Sequence, residues 1–219
     1  MTSGPSDSSL LIALPKGRLG DELVPCLAAS PLALDPKALK SRVLRIPTAT
    51  AGVEALLLKG ADLPRYVAAG VAALGVVGSD TLDEVDVDLL ELADLGFGAC
   101  RLSLCASSST GLEALRARPH LRVATKFPRA TEAWLDREGL TAEIVPLASS
   151  AELAPLLGLA DAIVDLVQTG STLRAHGLAE VAVIGRSSAR LVASRGAFLS
   201  EPERIQPLAE VLIRVLKKG

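Results

Sequence analysis

Apolar residues fall in short runs along this chain, separated by stretches whose apolar positions recur at helical spacing. "LLIAL" (10–14), "RVLRI" (42–46), "AALGVV" (72–77), "RLSLCA" (101–106), "LRVAT" (121–125), "AEIVPL" (142–147), "ADAIVDL" (160–166), "EVAVIG" (180–185) and "ARLVAS" (189–194) suit strands. Residues 18–29, 128–138 and 202–217 read as helices. In the last of these, Ile205, Leu208, Ala209, Leu212 and Val215 form an apolar stripe that predicts packing against the first part of the fold. Strands alternating with helices predict a mostly parallel α/β fold. No repeat of about 20–50 residues is visible. No stretch of linker composition divides the chain, so any two domains are joined by ordered segments, such as strands running across a hinge. Residues 1–9, "MTSGPSDSS", read as a disordered tail.

Composition narrows the function classes. With 219 residues the chain has room for one large domain or two small ones, and 49% apolar content supports a sizeable core. Aromatics at 2% argue against a stacking platform for single-stranded nucleic acid, and a net charge of −2 argues against a general DNA binder. The cysteines, Cys26, Cys100 and Cys105, are odd in number and form no CxxC pair. They predict neither a disulfide framework nor a structural zinc site, but thiols in a reducing cytoplasm. The start lacks a basic segment, and "LLIAL" is too short for a signal peptide's apolar core. Tyr66 to Ser79 is free of charge but has 14 residues and three glycines, too few and too flexible to span a bilayer. A soluble, cytoplasmic protein is expected.

Three loops follow strands and contain glycine: "PKGR" (15–18), "GSD" (78–80) and "QTGST" (168–172). In open α/β sheets, ligands bind beyond the carboxyl ends of strands. Thr169, Gly170, Ser171 and Thr172 offer backbone N–H groups and hydroxyls that suit a phosphate monoester. The competing reading is a helix cap, with Thr169 or Ser171 capping "TLRAHG". Asp165 tips the balance, because an ionised carboxylate inside a buried strand needs a partner, and a ligand's hydroxyls or a metal would provide one. No Walker A or G-x-G-x-x-G pattern is present. Lys16, Gly17 and Arg18 place two cations in a tight turn after the first strand, a combination that suits pyrophosphate. Arg42 is either a ligand of the same kind or a plain strand-edge charge. Glu152 has capping-box spacing from Ser149, or else it faces the same pocket as Asp165. His120 follows a proline in a loop, and His176 sits at a helix end before Gly177. Neither has a metal-type partner.

The run "ELAPLLGLADAIVDLVQTGSTL", Glu152 to Leu173, resembles the signature of the ATP phosphoribosyltransferase family. "ALPKGRL" (13–19), "SRVLRIP" (41–47), "ADLPRYVAAGVAALGVVGSDTL" (61–82), "RVATKFP" (122–128) and "SSARLV" (187–192) resemble it too, so the likeness covers most of residues 10–195. The resemblance implies attack of adenine N1 of ATP on C1 of phosphoribosyl pyrophosphate with Mg²⁺ assisting, the first step of histidine biosynthesis. It implies that Thr169, Gly170, Ser171 and Thr172 cradle the 5-phosphate, with Gln168 at the loop's edge. Asp165 and Glu152 would meet the ribose hydroxyls. Arg18 and Arg42 would act catalytically on the phosphates, Lys16 and Gly17 would assist, and Asp80 would border the ATP site. The chain departs from the family pattern at Lys59, where arginine is frequent, at His176, where asparagine is usual, and at Ser149–Ala151, where a Gly-Ser pair is common.

The implied fold is α/β, of the periplasmic-binding-protein type II, with two domains and an active-site cleft between them. Domain I would comprise 1–98 plus 190–219 and domain II 99–189, with "FGACRLSL" and "VAVIGRSSARL" as the crossovers. After "SSARLVAS" about one helix remains, so the chain resembles the family's short form. That form is a homodimer alone and works with a regulatory subunit similar to histidyl-tRNA synthetase, in a hetero-octamer. Two other classes compete: a solute-binding module of the same fold, and a phosphoribosyltransferase with another acceptor. Many of the latter carry two adjacent acidic residues before the phosphate loop, where this chain has Asp165.

Overall fold

The structure is a computed structural model and describes residues 9–217. Most of the expected tail, residues 1–8, lies outside the described residues, while Ser9 accepts a hydrogen bond from Arg45 Nη2 at 2.6 Å. The chain forms two compact units, one of residues 1–98 with 188–219 and one of 99–187.

The first unit contains β1 (Leu10–Pro15), α1 (Arg18–Leu27), α2 (Pro36–Leu39), β2 (Arg45–Pro47), β3 (Val53–Leu58), α3 (Leu63–Ala68), β4 (Leu74–Gly78), α4 (Ser79–Glu84) and β5 (Leu89–Asp94). The second contains β6 (Cys100–Ser107), α5 (Leu112–Arg116), β7 (Leu121–Thr125), α6 (Pro128–Glu138), β8 (Ala142–Pro146), α7 (Leu153–Leu156), β9 (Ala162–Val167), α8 (Ser171–Ala175) and β10 (Leu178–Ser187). The chain then returns to the first unit with β11 (Ala189–Ser194), α9 (Arg195–Ser200) and α10 (Pro202–Leu216).

The sheet of the first unit runs β2-β3-β1-β4-β11-β5, and that of the second runs β10-β6-β9-β7-β8. Both are mixed, which corrects the expectation of a mostly parallel fold. β1 is parallel to β3 and β4, and β7 is parallel to β8 and β9. The pairs β2–β3, β4–β11, β5–β11, β6–β9 and β6–β10 are antiparallel. The reason is positional. β6 and β11, which carry the chain into and out of the second unit, run against β9 and β4, while β10 folds back on β6 and β2 on β3.

The first core gathers Ile12, Leu14, Leu23, Leu27, Ile46, Leu74 and Leu191 from both chain halves. α10 closes it with Ile205, Ala209, Leu212 and Leu216, the predicted stripe displaced by one position at its end. The second unit is built on Leu104, Leu121, Val123, Trp134 and Val164 on one side and on Cys105, Ala124, Ile163 and Leu173 on the other. Burial there pushes the Cys105 thiol up to about 12.

"RVLRI" is a strand only from Arg45 onward. Val43 and Leu44 are about half exposed, and Leu44 makes a single ladder-like bond, from Leu57 N–H to its carbonyl at 2.7 Å. Arg42 therefore stands in an exposed loop rather than at a strand edge. No helix among the described residues is long and apolar enough to cross a membrane.

Candidate active site

In the first unit, the parallel register of β3, β1 and β4 brings several predicted residues to one sheet edge. Leu58 pairs with Pro15, and the register of β1 on β4 runs from Ile12–Leu74 to Ala13–Gly75. The loops after these strands therefore leave side by side. Lys16 follows β1, with its backbone N–H on the Leu58 carbonyl at 2.7 Å. Gly17, at φ 76°, precedes α1 in a left-handed conformation that a side chain would resist. Arg18 opens α1, and its Nη1 donates to Glu22 Oε1 at 3.3 Å and to the Gly98 carbonyl at 3.1 Å. β2 runs against β3, so the loop holding Arg42 passes the same edge.

Asp80 lies in the first turn of α4, directly after β4, and accepts from Thr81 Oγ1 at 3.3 Å. Ser79 N–H donates to the Ser188 carbonyl at 3.0 Å, tying this loop to the start of β11. Burial, followed by the Asp80 charge, raises the Asp83 carboxyl above its ordinary value. The edge is thus rich in cations at Lys16, Arg18 and Arg42, with carboxylates at Asp80 and Asp83.

In the second unit, β9 is the central strand, and it outruns its neighbour. The β7–β9 pairing ends at Thr125–Val164, whereas β9 continues against β6 through Ser103–Asp165 to Arg101–Val167. Asp165 is therefore held in a strand on one side and opened on the other, its side chain about a quarter exposed. That local geometry explains how an apolar strand can carry a carboxylate. Oδ1 accepts the Leu166 N–H at 2.8 Å and lies 3.2 Å from Lys126 Nζ. The buried Thr125 locks the end of β7, donating its hydroxyl to the Val164 carbonyl at 2.8 Å and accepting the Phe127 N–H at 2.9 Å.

The loop after β9 turns at Gly170, whose φ of 71° again favours glycine, and enters α8 at Ser171. Gln168, Thr169, Ser171 and Thr172 are exposed. Gly170 stands at the N-terminal boundary of α8 and has no side chain to cap it, but Thr169 Oγ1 accepts the Ser171 N–H at 3.4 Å, so the helix-cap reading holds in part for Thr169. Thr169 Oγ1 and Ser171 Oγ lie 3.0 Å apart, and Arg174 folds back so that Nη1 donates to the Thr169 carbonyl at 3.1 Å.

Glu152 occupies the N-terminal boundary of α7 without a capping hydrogen bond, so the capping box with Ser149 does not form. α7 begins at Leu153, three residues too late for that spacing. Glu152 follows β8, which is parallel to β7, so its loop leaves from the same sheet edge as Lys126 and the 168–172 turn. His176 caps the C-terminal end of α8, as its place before Gly177 predicts. Among the described residues, no three His, Cys, Asp or Glu side chains gather as metal ligands.

Reading the sequence residue by residue missed Lys126 and Arg174. The signal for Lys126 was present, because "LRVATK" repeats the pattern of "LIALPK": an apolar parallel strand followed by a lysine. Arg174 left no such trace, since its contact with the turn depends on its side chain folding back onto the Thr169 carbonyl.

A family model described as ATP phosphoribosyltransferase matches residues 59–214. An ATP phosphoribosyltransferase of Moorella thermoacetica is 42% identical over 215 residues, covering 96% of this chain and 94% of its own. One of Deinococcus deserti is 48% identical over 203 residues, covering 93% and 91%. Among solved structures, the ATP phosphoribosyl transferase (HisG:HisZ) complex from Thermotoga maritima superposes with a TM-score of 0.80 at 27% identity, covering 96% of this chain and 100% of that one. The alkanesulfonate-binding protein SsuA of Xanthomonas axonopodis pv. citri, at TM-score 0.56 and 18% identity over 98% of this chain and 74% of its own, shares the fold.

Proposed function

We propose a division of labour between the two units of this chain, which belongs to the ATP phosphoribosyltransferase family. It transfers the phosphoribosyl group of phosphoribosyl pyrophosphate to N1 of ATP, releasing pyrophosphate, in the first step of histidine biosynthesis. The second unit seats the sugar phosphate. The Thr169–Thr172 turn takes the 5-phosphate, with Gln168 at its rim, and Asp165 and Glu152 take the ribose hydroxyls. The first unit supplies the cations: Lys16, the Gly17 turn, Arg18 and Arg42 meet the pyrophosphate and ATP phosphates, and Asp80 borders the nucleotide. The observation that carries this reading is the gathering of Lys126, Asp165, Glu152 and the hydroxyl turn at one edge of the second sheet.

The chemistry asks for positioning and charge stabilisation. Adenine N1 brings an unprotonated lone pair, so no strong general base is needed. As the bond from C1 to the pyrophosphate oxygen breaks, positive charge grows on the ribose and negative charge on the leaving group. A carboxylate near the hydroxyls and arginines on the phosphates answer both. Asp165 already has the Lys126 ammonium beside it, and no metal cage forms among the described residues. Mg²⁺ would be held mainly by the substrate's phosphate oxygens, with one or two carboxylates of the chain at most, and would offset charge on the leaving pyrophosphate.

Thr172→Val tests the seat. It keeps the shape and removes one hydroxyl, which costs about 1.5–3 kcal/mol against a charged acceptor. KM for phosphoribosyl pyrophosphate rises while the fold stays intact. Unchanged kinetics with a lowered Tm would assign Thr172 to the helix instead.

A separate regulatory subunit completes the proposal. It is supported by the Thermotoga maritima relative, whose whole matching chain stands in a complex with a second protein. Feedback by histidine then arises only when that partner is added, since coupling requires a second site. Strong inhibition of the lone chain by histidine would refute it.

A further inference from the structure

We propose that Lys126 is a positioning residue for phosphoribosyl transfer, acting through Asp165. The inference rests on the placement of Asp165 at the ribose. Lys126 is the first residue beyond β7, and the β7–β9 register carries it level with Asp165. Its Nζ lies 3.2 Å from Asp165 Oδ1, and the backbone N–H of Leu166 donates to the same oxygen at 2.8 Å. Two donors on Oδ1 fix the carboxylate plane, and Oδ2 takes neither of them. Oδ2 is the atom left to meet the sugar.

The lysine is itself braced. Its Nζ lies 5.1 Å from the centre of the Phe127 ring, and Phe127 is buried. A cation over an aromatic face is attracted to it. Thr125, just before, is bonded to both Val164 and Phe127, so the backbone on either side of Lys126 is tied to β9. The ammonium therefore sits on a rigid strand end rather than on a loose loop.

The charge balance gives the arrangement its purpose. Phosphoribosyl pyrophosphate is a polyanion, and a bare carboxylate beside its ribose would repel it. A lysine held against that carboxylate offsets the repulsion and leaves the hydrogen-bonding oxygen in place. Removing the ammonium should weaken this substrate and leave ATP unaffected.

The test uses Lys126→Met, Lys126→Arg, Asp165→Asn and the Lys126→Met/Asp165→Asn double variant of the full chain, with kcat, both KM values and thermal unfolding measured for each. Lys126→Met is expected to raise KM for phosphoribosyl pyrophosphate about tenfold. KM for ATP should stay unchanged, and Lys126→Arg should recover most of the loss. The double variant should be no worse than Asp165→Asn alone, because a residue acting through Asp165 has nothing left to hold. Losses that multiply in the double variant would overturn the proposal by making Lys126 an independent ligand. Normal kinetics for Lys126→Met beside an impaired Asp165→Asn would overturn the proposal and leave the site reading standing. Normal kinetics for Asp165→Asn would overturn the placement of Asp165 and the proposal with it. A Lys126→Met defect matched by lost stability and not rescued by arginine would reduce the ion pair to a packing contact and also overturn it.

Discussion

The Arg18 guanidinium donates to the carbonyl oxygen of Gly98 at 3.1 Å, across 80 positions of sequence. The same nitrogen reaches Glu22 one turn further along α1. The cation after β1 is thus oriented by the end of the segment through which the chain leaves the first unit. Arg42, by contrast, is exposed in its loop.

Alanine at Arg18 or Arg42 should lower turnover more than substrate affinity, by about 10²-fold if the arginine meets charge that develops in the transition state. Single-turnover rates and equilibrium ATP binding measured on both variants separate the effects. A loss confined to ATP binding would make either arginine an anchor.

Gly170→Ala forces a side chain into a left-handed turn, which costs about 1–2 kcal/mol. The added carbon would lie 3.2 Å from Arg174 Nη1, the far end of a side chain that can move. Backbone strain therefore dominates over the clash. KM for phosphoribosyl pyrophosphate should rise with a modest fall in Tm, and retention of both would show that the turn tolerates alanine.

Ser150 is the non-glycine residue with a left-handed backbone among those described, at φ 54°. Ser150→Gly removes about 1–2 kcal/mol of strain and adds about 0.5–1 kcal/mol of unfolded-state entropy, leaving a small net gain. Tm should rise slightly. A fall would show that the serine hydroxyl stabilises this loop by more than the backbone loses.

The Arg101 guanidinium holds the Glu180 carboxyl below its usual range, aided by the Ser103 hydroxyl at 2.7 Å and opposed by burial. A lowered folded value means that the unfolded chain binds the proton more readily. The pair's stabilisation is therefore complete above the ordinary glutamate range and disappears as pH falls through the lower, folded value. Urea unfolding of the wild type and Glu180→Gln should differ at neutral pH and converge as pH falls through the lowered folded value. A gap that persists in acid would show that the stabilisation is not ionic.

Local signals were legible where they were strong. Pro128 opens α6 and Gly139, at φ 64°, closes it, and both bounds stand in the sequence. β7 is likewise bounded as its apolar run predicts. β3 and β5 were missed because "VEALLL" and "LLELAD" are made of helix-favouring residues. Pairing decides them instead: β3 lies between β1 and β2, and β5 lies beside β11, about a hundred residues later in the chain. The same limit applies at the site. The Thr169–Thr172 turn is contiguous, so its chemistry could be read directly. The Lys126–Asp165 pair depends on which strand lies next to which, and spacing along the chain does not encode that.

The position of β11 between β4 and β5 has a consequence for synthesis on the ribosome. The second unit is contiguous, so residues 99–187 can close around their own core as soon as they emerge. The first unit cannot. Until residues 189–194 are made, β4 exposes the backbone edge beside Val76 and Val77, and β5 has no neighbour to pair with. The part of the chain translated first is therefore completed last, and for that interval it carries an unpaired, apolar strand edge open to the wrong partner.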